Sequence, residues 1–178
     1  MGCLVILAAG LGSRFGGAKQ LIEFGPLKRT LMEYNICHAF EQGFSKIVLI
    51  IQPQSRTIIE KQIVPRLPCD LEVCLAEQNN TDLPKNCLVL ESFNKLLGTA
   101  HALWCARSFL TSHFSVINAD DYYSEDAFKL LASSAKREQS IIVAFRLDKT
   151  LSEFGGVNRG ICKISKHFDS ESSSLIAV

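Results

Sequence analysis

Residues Leu7-Ala8-Ala9-Gly10-Leu11-Gly12-Ser13-Arg14-Phe15-Gly16-Gly17-Ala18-Lys19-Gln20 have the composition of an anion grip. They follow an apolar run, Cys3 to Leu7, that reads as a buried strand. Glycines let backbone N–H groups converge on an anion because no Cβ stands in the way. Arg14 adds a planar cationic fork and Lys19 a point charge. The chemistry expected of such a loop is the binding of phosphate. Two known phosphate loops do not fit. A dinucleotide loop requires G-x-G-x-x-G, and Phe15 stands where its third glycine belongs. A Walker A loop requires Lys directly after its last glycine, and Ala18 follows Gly17.

A second group with chemical potential is Asn118-Ala119-Asp120-Asp121-Tyr122-Tyr123, after the strand-like run Phe114 to Ile117. Open parallel sheets bind ligands beyond the carboxyl ends of their strands, where both groups would lie. Carboxylates there suit Mg²⁺, which takes hard oxygen ligands, often one or two carboxylates with phosphate and water. Successive residues of an extended chain point opposite ways, so the two aspartates do not share one ion symmetrically. The alternative is an Asp pair that starts a turn and caps a helix at Ser124. Two further stretches are Gly98-Thr99-Ala100-His101-Ala102, a helix entry, and Phe154-Gly155-Gly156-Val157-Asn158-Arg159-Gly160. Arg159 suits a phosphate or carboxylate, and the alternative is a glycine-bounded turn. His101 reads as a satisfied structural histidine.

The first loop resembles the signature of nucleotidyltransferases that activate sugar phosphates and similar metabolites, L-A-A-G-x-G-[ST]-R-x-G-x-x-K. The resemblance runs from residue 3 to about residue 165. It implies that Ala8, Ala9, Gly10, Gly12, Ser13 and Arg14 wrap the triphosphate of an incoming nucleotide. It implies that Asp120 holds the catalytic metal and that Gly98 and Thr99 face the nucleobase. Asp121, Gly156 and Arg159 then line the acceptor pocket. The implied reaction moves an NMP from an NTP to a phosphorylated acceptor, a sugar 1-phosphate above all, and releases pyrophosphate. Arg14, Lys19 and Asp120 are its expected catalytic residues and Mg²⁺ its expected cofactor. Many members supply a second metal-binding Asp from a later strand, for which this chain has no clear equivalent, and they often place a Gln before the G-T-A segment, where Glu91 to Lys95 give no match. The expectation is one domain over residues 1–178, incomplete at its C-terminus. A cytidylyl- or molybdopterin-type nucleotidyltransferase and a non-catalytic nucleotide-binding relic stay open as alternatives. An NAD-dependent oxidoreductase is disfavoured by Phe15 and by Gln52, which stands where an acidic ribose ligand belongs.

The elements that must position these residues alternate along the chain. Thr30 and Glu33 form a capping box that opens a helix, and Gly43 suits its stop. Lys46 to Ile51 is a β-branched run of the kind buried on both faces of a sheet. A helix over Ser55 to Val64, a strand over Leu71 to Leu75, a polar loop over 77–97, a helix over Thr99 to Leu110, a helix over Ser124 to Lys136 and a strand over Ile141 to Phe145 complete the pattern. Strands alternating with helices predict an α/β fold: three α/β/α layers around a mainly parallel, Rossmann-like sheet of the nucleotide-diphospho-sugar transferase type.

At 178 residues, 47% hydrophobic and 21% charged, the composition is that of a globular protein. A net charge of +1 without a basic stripe speaks against a nucleic-acid partner and for small-molecule ones, an NTP and a phosphorylated acceptor. No apolar run is long enough to span a membrane. No charged region precedes the first apolar stretch, which speaks against a signal peptide. The seven cysteines show no C-x-x-C spacing and read as reduced thiols, so the expected location is the cytoplasm. Oligomeric state is not legible from composition.

Overall fold

The computed structural model describes residues 2–10, 22–88, 95–134, 140–151, 160–164 and 175–177. The chain separates into two compact units, residues 1–139 and 140–178. The first unit holds a four-stranded sheet. Strand β1 (Gly2–Leu7) leads toward a small antiparallel pair, β2 (Glu23–Phe24) and β3 (Arg29–Thr30). Helix α1 (Leu31–Glu41) then feeds β4 (Phe44–Ile51). A short helical stretch containing α2 (Arg56–Ile58) precedes β5 (Glu72–Glu77). Helix α3 (Thr99–Ala106), β6 (Phe114–Asn118) and α4 (Glu125–Ser134) follow.

The strand order is β5-β4-β1-β6, and each pairing in it is parallel. From β1 the chain moves outward through β4 and β5, then returns to add β6 on the other side of β1. The order therefore reverses between β1 and β6. Crevices at such reversals are where open parallel sheets bind ligands.

Alternation along β1 separates two apolar layers. Leu4, Ile6 and Ala8 pack with Met32, Ile36 and Ala39 of α1 and with Phe128 of α4. Cys3, Val5 and Ala9 pack with Val48, Ile50, Ala102 and Ala106. Helices α1 and α4 thus cover one face and α3 the other, which makes three α/β/α layers. Both β1 and β4 bury residues on both faces, and a continuous apolar run is what that requires.

Helix α1 begins as its capping box dictates. Thr30 Oγ1 accepts from the Glu33 N–H at 3.1 Å, and Glu33 Oε2 accepts from the Thr30 N–H at 2.7 Å. Gly43, at φ +91°, turns the chain out of the helix in a backbone region open to glycine.

Two elements differ from their sequence reading. The helix expected over Ser55 to Val64 is irregular: one α turn widens at Ile59–Ile63, where the Val64 N–H reaches Ile59 O, and tightens at Val64–Arg66. Pro65 has no N–H to donate to the preceding turn, and its ring crowds the carbonyl four residues back. Residues 141–145, expected as a strand, are not strand, and four of the five are exposed. The β-branched composition of that run favours a pleated, half-buried surface, which these residues do not occupy. Within the second unit the described elements are a turn at Leu147–Lys149 and an antiparallel pair, β7 (Lys163–Ile164) with β8 (Leu175–Ala177).

Candidate active site

The carboxyl edge of the sheet remains hydrogen-bonded up to its loops. The Ala8 N–H donates to Ile50 O at 2.8 Å, the Ala119 N–H to Leu7 O at 3.1 Å and the Gln78 N–H to Ile51 O at 2.9 Å. The glycine loop after β1 and the Asp120 loop after β6 therefore start side by side. Ala8 and Ala9 are each 3% exposed, and Gly10 stands in the open with nothing within 4 Å of where a Cβ would sit. Gly12, Ser13, Arg14 and Lys19 lie outside the described residues.

Asp120 is exposed, and among the described residues its carboxylate has no hydrogen-bond or ion-pair partner. Asp121 differs: its Oδ2 accepts from Asn118 Nδ2 at 2.9 Å. The Asn118 N–H donates to Tyr123 Oη at 3.2 Å. The Tyr123 ring meets Phe128 edge-on, 6.3 Å between centroids, and burial pushes its hydroxyl above the ordinary tyrosine pKa. The loop is thus tied down through Asp121, Asn118 and Tyr123 while the Asp120 carboxylate stays available. An unpaired, hard oxygen donor past the carboxyl end of β6, beside β1, fits a Mg²⁺ ligand. A different trio of metal-capable side chains, His38, Glu41 and Glu125, gathers where α1 and α4 meet: His38 Nδ1 lies 3.8 Å from Glu41 Oε2 and 3.6 Å from Glu125 Oε1.

Gly98 caps α3 with its carbonyl, which accepts from the Ala102 N–H at 3.1 Å, and the space a Cβ would fill is open. Thr99 is exposed beside it. His101 uses both ring nitrogens: Nδ1 faces Gln78 Nε2 at 3.2 Å and Nε2 faces Asp82 O at 2.9 Å. A neutral ring protonated on Nε2 satisfies both contacts. The Asp82 carboxylate accepts from Trp104 Nε1 at 3.2 Å and Arg107 Nη1 at 2.7 Å, and the Arg107 guanidinium holds it below the usual carboxylate range. These contacts dock residues 79–82 onto α3. Gly156 and Arg159 lie outside the described residues.

Three buried polar side chains serve this edge in ways the sequence did not show, Gln52 having been read only as the residue standing in place of an acidic ribose ligand. Gln52, just past β4, donates from Nε2 to Ala9 O at 2.7 Å. Gln78, just past β5, donates from Nε2 to Leu97 O at 2.7 Å and so holds the approach to Gly98. Asn35 of α1 donates to Asp121 O at 2.8 Å and accepts from the Tyr123 N–H at 3.1 Å. The available signal was a polar residue inside or directly after an apolar run.

Comparison with known proteins shows the family and the fold. A model of the nucleotidyl transferase family matches residues 3–169. The chain belongs to the nucleotidyl transferase family. Among solved structures, HddC from Yersinia pseudotuberculosis complexed with GMP-PN is 25% identical with a TM-score of 0.55, over 76% of this chain and 55% of that one. The inositol-1-phosphate CTP transferase from T. maritima is 20% identical with a TM-score of 0.55, over 79% of this chain and 50% of that one. The UTP-bound UGPase from Acinetobacter baumannii is 19% identical with a TM-score of 0.52, over 78% and 54%. This nucleotidyl transferase chain thus spans about half the length of the solved relatives it matches. No curated protein sequence matches it. Among the described residues, no helix is long and apolar enough to cross a membrane.

Proposed function

We propose that this chain transfers an NMP from an NTP to a phosphorylated small-molecule acceptor, a sugar 1-phosphate, with release of pyrophosphate. One observation carries the reading: the loop after β1 and the loop bearing Asp120 emerge from adjacent strands where the strand order reverses, joined by the Ala119–Leu7 hydrogen bond. That HddC, at 25% identity, was solved with GMP-PN supports a nucleotide on this fold.

In this reading an acceptor phosphate oxygen attacks the α-phosphorus in line. The new P–O bond forms as the bond to pyrophosphate breaks. A phosphate monoester, whose second pKa is about 6, is already a dianion near neutral pH, so no side chain has to remove a proton. The protein's task is then positioning and charge compensation. Backbone groups of Ala8, Ala9, Gly10, Gly12 and Ser13 hold the triphosphate. Arg14 offsets the charge of the departing pyrophosphate, and Lys19 offsets that of the α-phosphate and the attacking oxygen. Gly98 and Thr99 receive the base, and Asp121, Gly156 and Arg159 receive the acceptor. Asp120 would hold Mg²⁺, which when bound neutralises charge on donor and acceptor phosphates.

The test is a screen of NTPs against sugar 1-phosphates and other phosphorylated acceptors with Mg²⁺, read by pyrophosphate release. Turnover with a sugar 1-phosphate is expected. Asp120→Asn should lose about 10²-fold or more in rate, with its melting temperature unchanged because the carboxylate is exposed and unpaired. Wild-type turnover by Asp120→Asn would overturn the assignment.

A further inference from the structure

Asn35 sits in the fifth position of α1 and is fully buried, an unusual place for an amide. Burying an amide is unfavourable unless its polar atoms are bonded. Both are bonded here, and both to backbone at one place in a distant segment. Nδ2 donates to Asp121 O at 2.8 Å, and Oδ1 accepts from the Tyr123 N–H at 3.1 Å. One side chain thus spans the two peptide groups on either side of Tyr122, directly after Asp120. Its helix packs on the core beside it through Met32, Ile36 and Ala39, all fully buried.

The two bonds point in opposite directions along the amide, so they define a register rather than a mere attachment. A slide of the loop along α1 would carry Asp121 O and the Tyr123 N–H away from Asn35 together. Within the loop Asn118 bonds to Tyr123 Oη and to Asp121; toward the helices its rings meet edge-on, Tyr122 with His38 of α1 and Tyr123 with Phe128 of α4, contacts that fix no backbone register. We infer that Asn35 is the positioning residue of the Asp120 loop: it sets the loop backbone against α1 and thereby aims the Asp120 carboxylate. This rests on the reading of Asp120 as the metal ligand. A misplacement of about 1 Å in such a group costs about 10²-fold in rate.

The test compares Asn35→Leu, which keeps the size and removes both bonds, with Asn35→Asp, which keeps the acceptor for the Tyr123 N–H and loses the donor to Asp121 O. Amide exchange gives a readout independent of activity. The Tyr123 amide should exchange at least about tenfold faster in Asn35→Leu, with α1 as protected as in wild type, and remain slow in Asn35→Asp. With an active NTP and acceptor pair, kcat should fall about 10²-fold in Asn35→Leu and the Mg²⁺ concentration for half-maximal rate should rise, while KM for the NTP stays within about twofold. Ile63→Ala, which truncates a buried side chain in the stretch before β5, controls for lost stability and should leave kcat and Mg²⁺ dependence as in wild type. If Asp120→Asn is inactive while Asn35→Leu matches wild type in exchange and Mg²⁺ dependence, the inference on Asn35 fails alone. If Asp120→Asn is active, the reading of the site fails with it. Should Asn35→Leu not fold, Asn35→Asp carries the test, and wild-type kcat and Mg²⁺ dependence in it would overturn the inference.

Discussion

Replacing Phe128 by alanine tests whether α4 holds the loop as the packing implies. Phe128 is fully buried among Leu4, Ile6, Ile47 and Ile117 in the layer beneath α1 and α4. Its ring meets Phe44 at 6.5 Å between centroids and Tyr123 at 6.3 Å, both edge-on. Truncating a buried Phe costs about 3–5 kcal/mol, because the lost transfer energy is joined by that of the cavity left behind. Two edge-on ring contacts argue for the middle of that range, about 4 kcal/mol. For a chain of this size each kcal/mol lowers the melting temperature by about 2–4 °C, so a drop of about 8–16 °C is expected. Far-ultraviolet circular dichroism during heating measures it. Leu130 on the same helix is 53% exposed, and Leu130→Ala should change stability by no more than about 0.5 kcal/mol. A Phe128→Ala protein melting within about 2 °C of wild type would refute the reasoning, since α4 would not then be docked through this ring.

Two other perturbations follow from the same geometry. Gln52→Leu leaves Ala9 O without its donor at the entry to the glycine loop; a buried hydrogen bond of about 1 kcal/mol corresponds to a rise of several-fold in KM for the NTP, with a smaller change in kcat, and steady-state kinetics that leave KM unmoved would sink it. Stability should fall as pH rises above about 8.5, because burial raises the thiol pKa values of Cys3, Cys37 and Cys74 and the hydroxyl pKa of Tyr123. These groups hold their protons in the folded chain at a pH where the unfolded chain has released them, so unfolding gains as pH climbs through the unfolded values. Urea midpoints in reductant at neutral and at alkaline pH read this directly, and a midpoint that is constant or higher at alkaline pH would contradict it.

What the sequence made legible was local. The β-branched run Lys46 to Ile51 can sit nowhere but in the middle of a parallel sheet, and it lies in β4 between β1 and β5. The pair Thr30 and Glu33, three residues apart, carries its own partner and so shows its own helix start. Asp120 and Gly98 drew notice as candidates because a strand or a helix entry stands beside each. The contacts of Asn35, Gln52 and Gln78 were not legible, because they run to main-chain carbonyls and amides 86 or 88, 43 and 19 residues away, and a main-chain partner leaves no complementary side chain to read. Pro65 foretold that a helix would end but not that the turn before it would widen. Ile141 to Phe145 has strand composition, yet composition states only what a run would do if neighbours flanked it.

Helix α1 shows how the local and the distant parts combine. Glu33 and Asn35 are both buried and polar, two residues and so about 200° apart around the helix. On one side Glu33 receives the Thr30 N–H and hydroxyl and two guanidinium contacts from Arg66, at 2.7 and 2.8 Å. A carboxylate buried to that degree is tolerated because donors face it. On the other side Asn35 grips the loop that bears Asp120. Apolar packing of Met32, Ile36 and Ala39 is non-directional and would allow small slides and rotations of the helix. The Glu33 contacts remove that freedom, since a carboxylate held by several donors has one position. Helix α1 is therefore located by its first turn and, one step along, passes that location to the Asp120 loop.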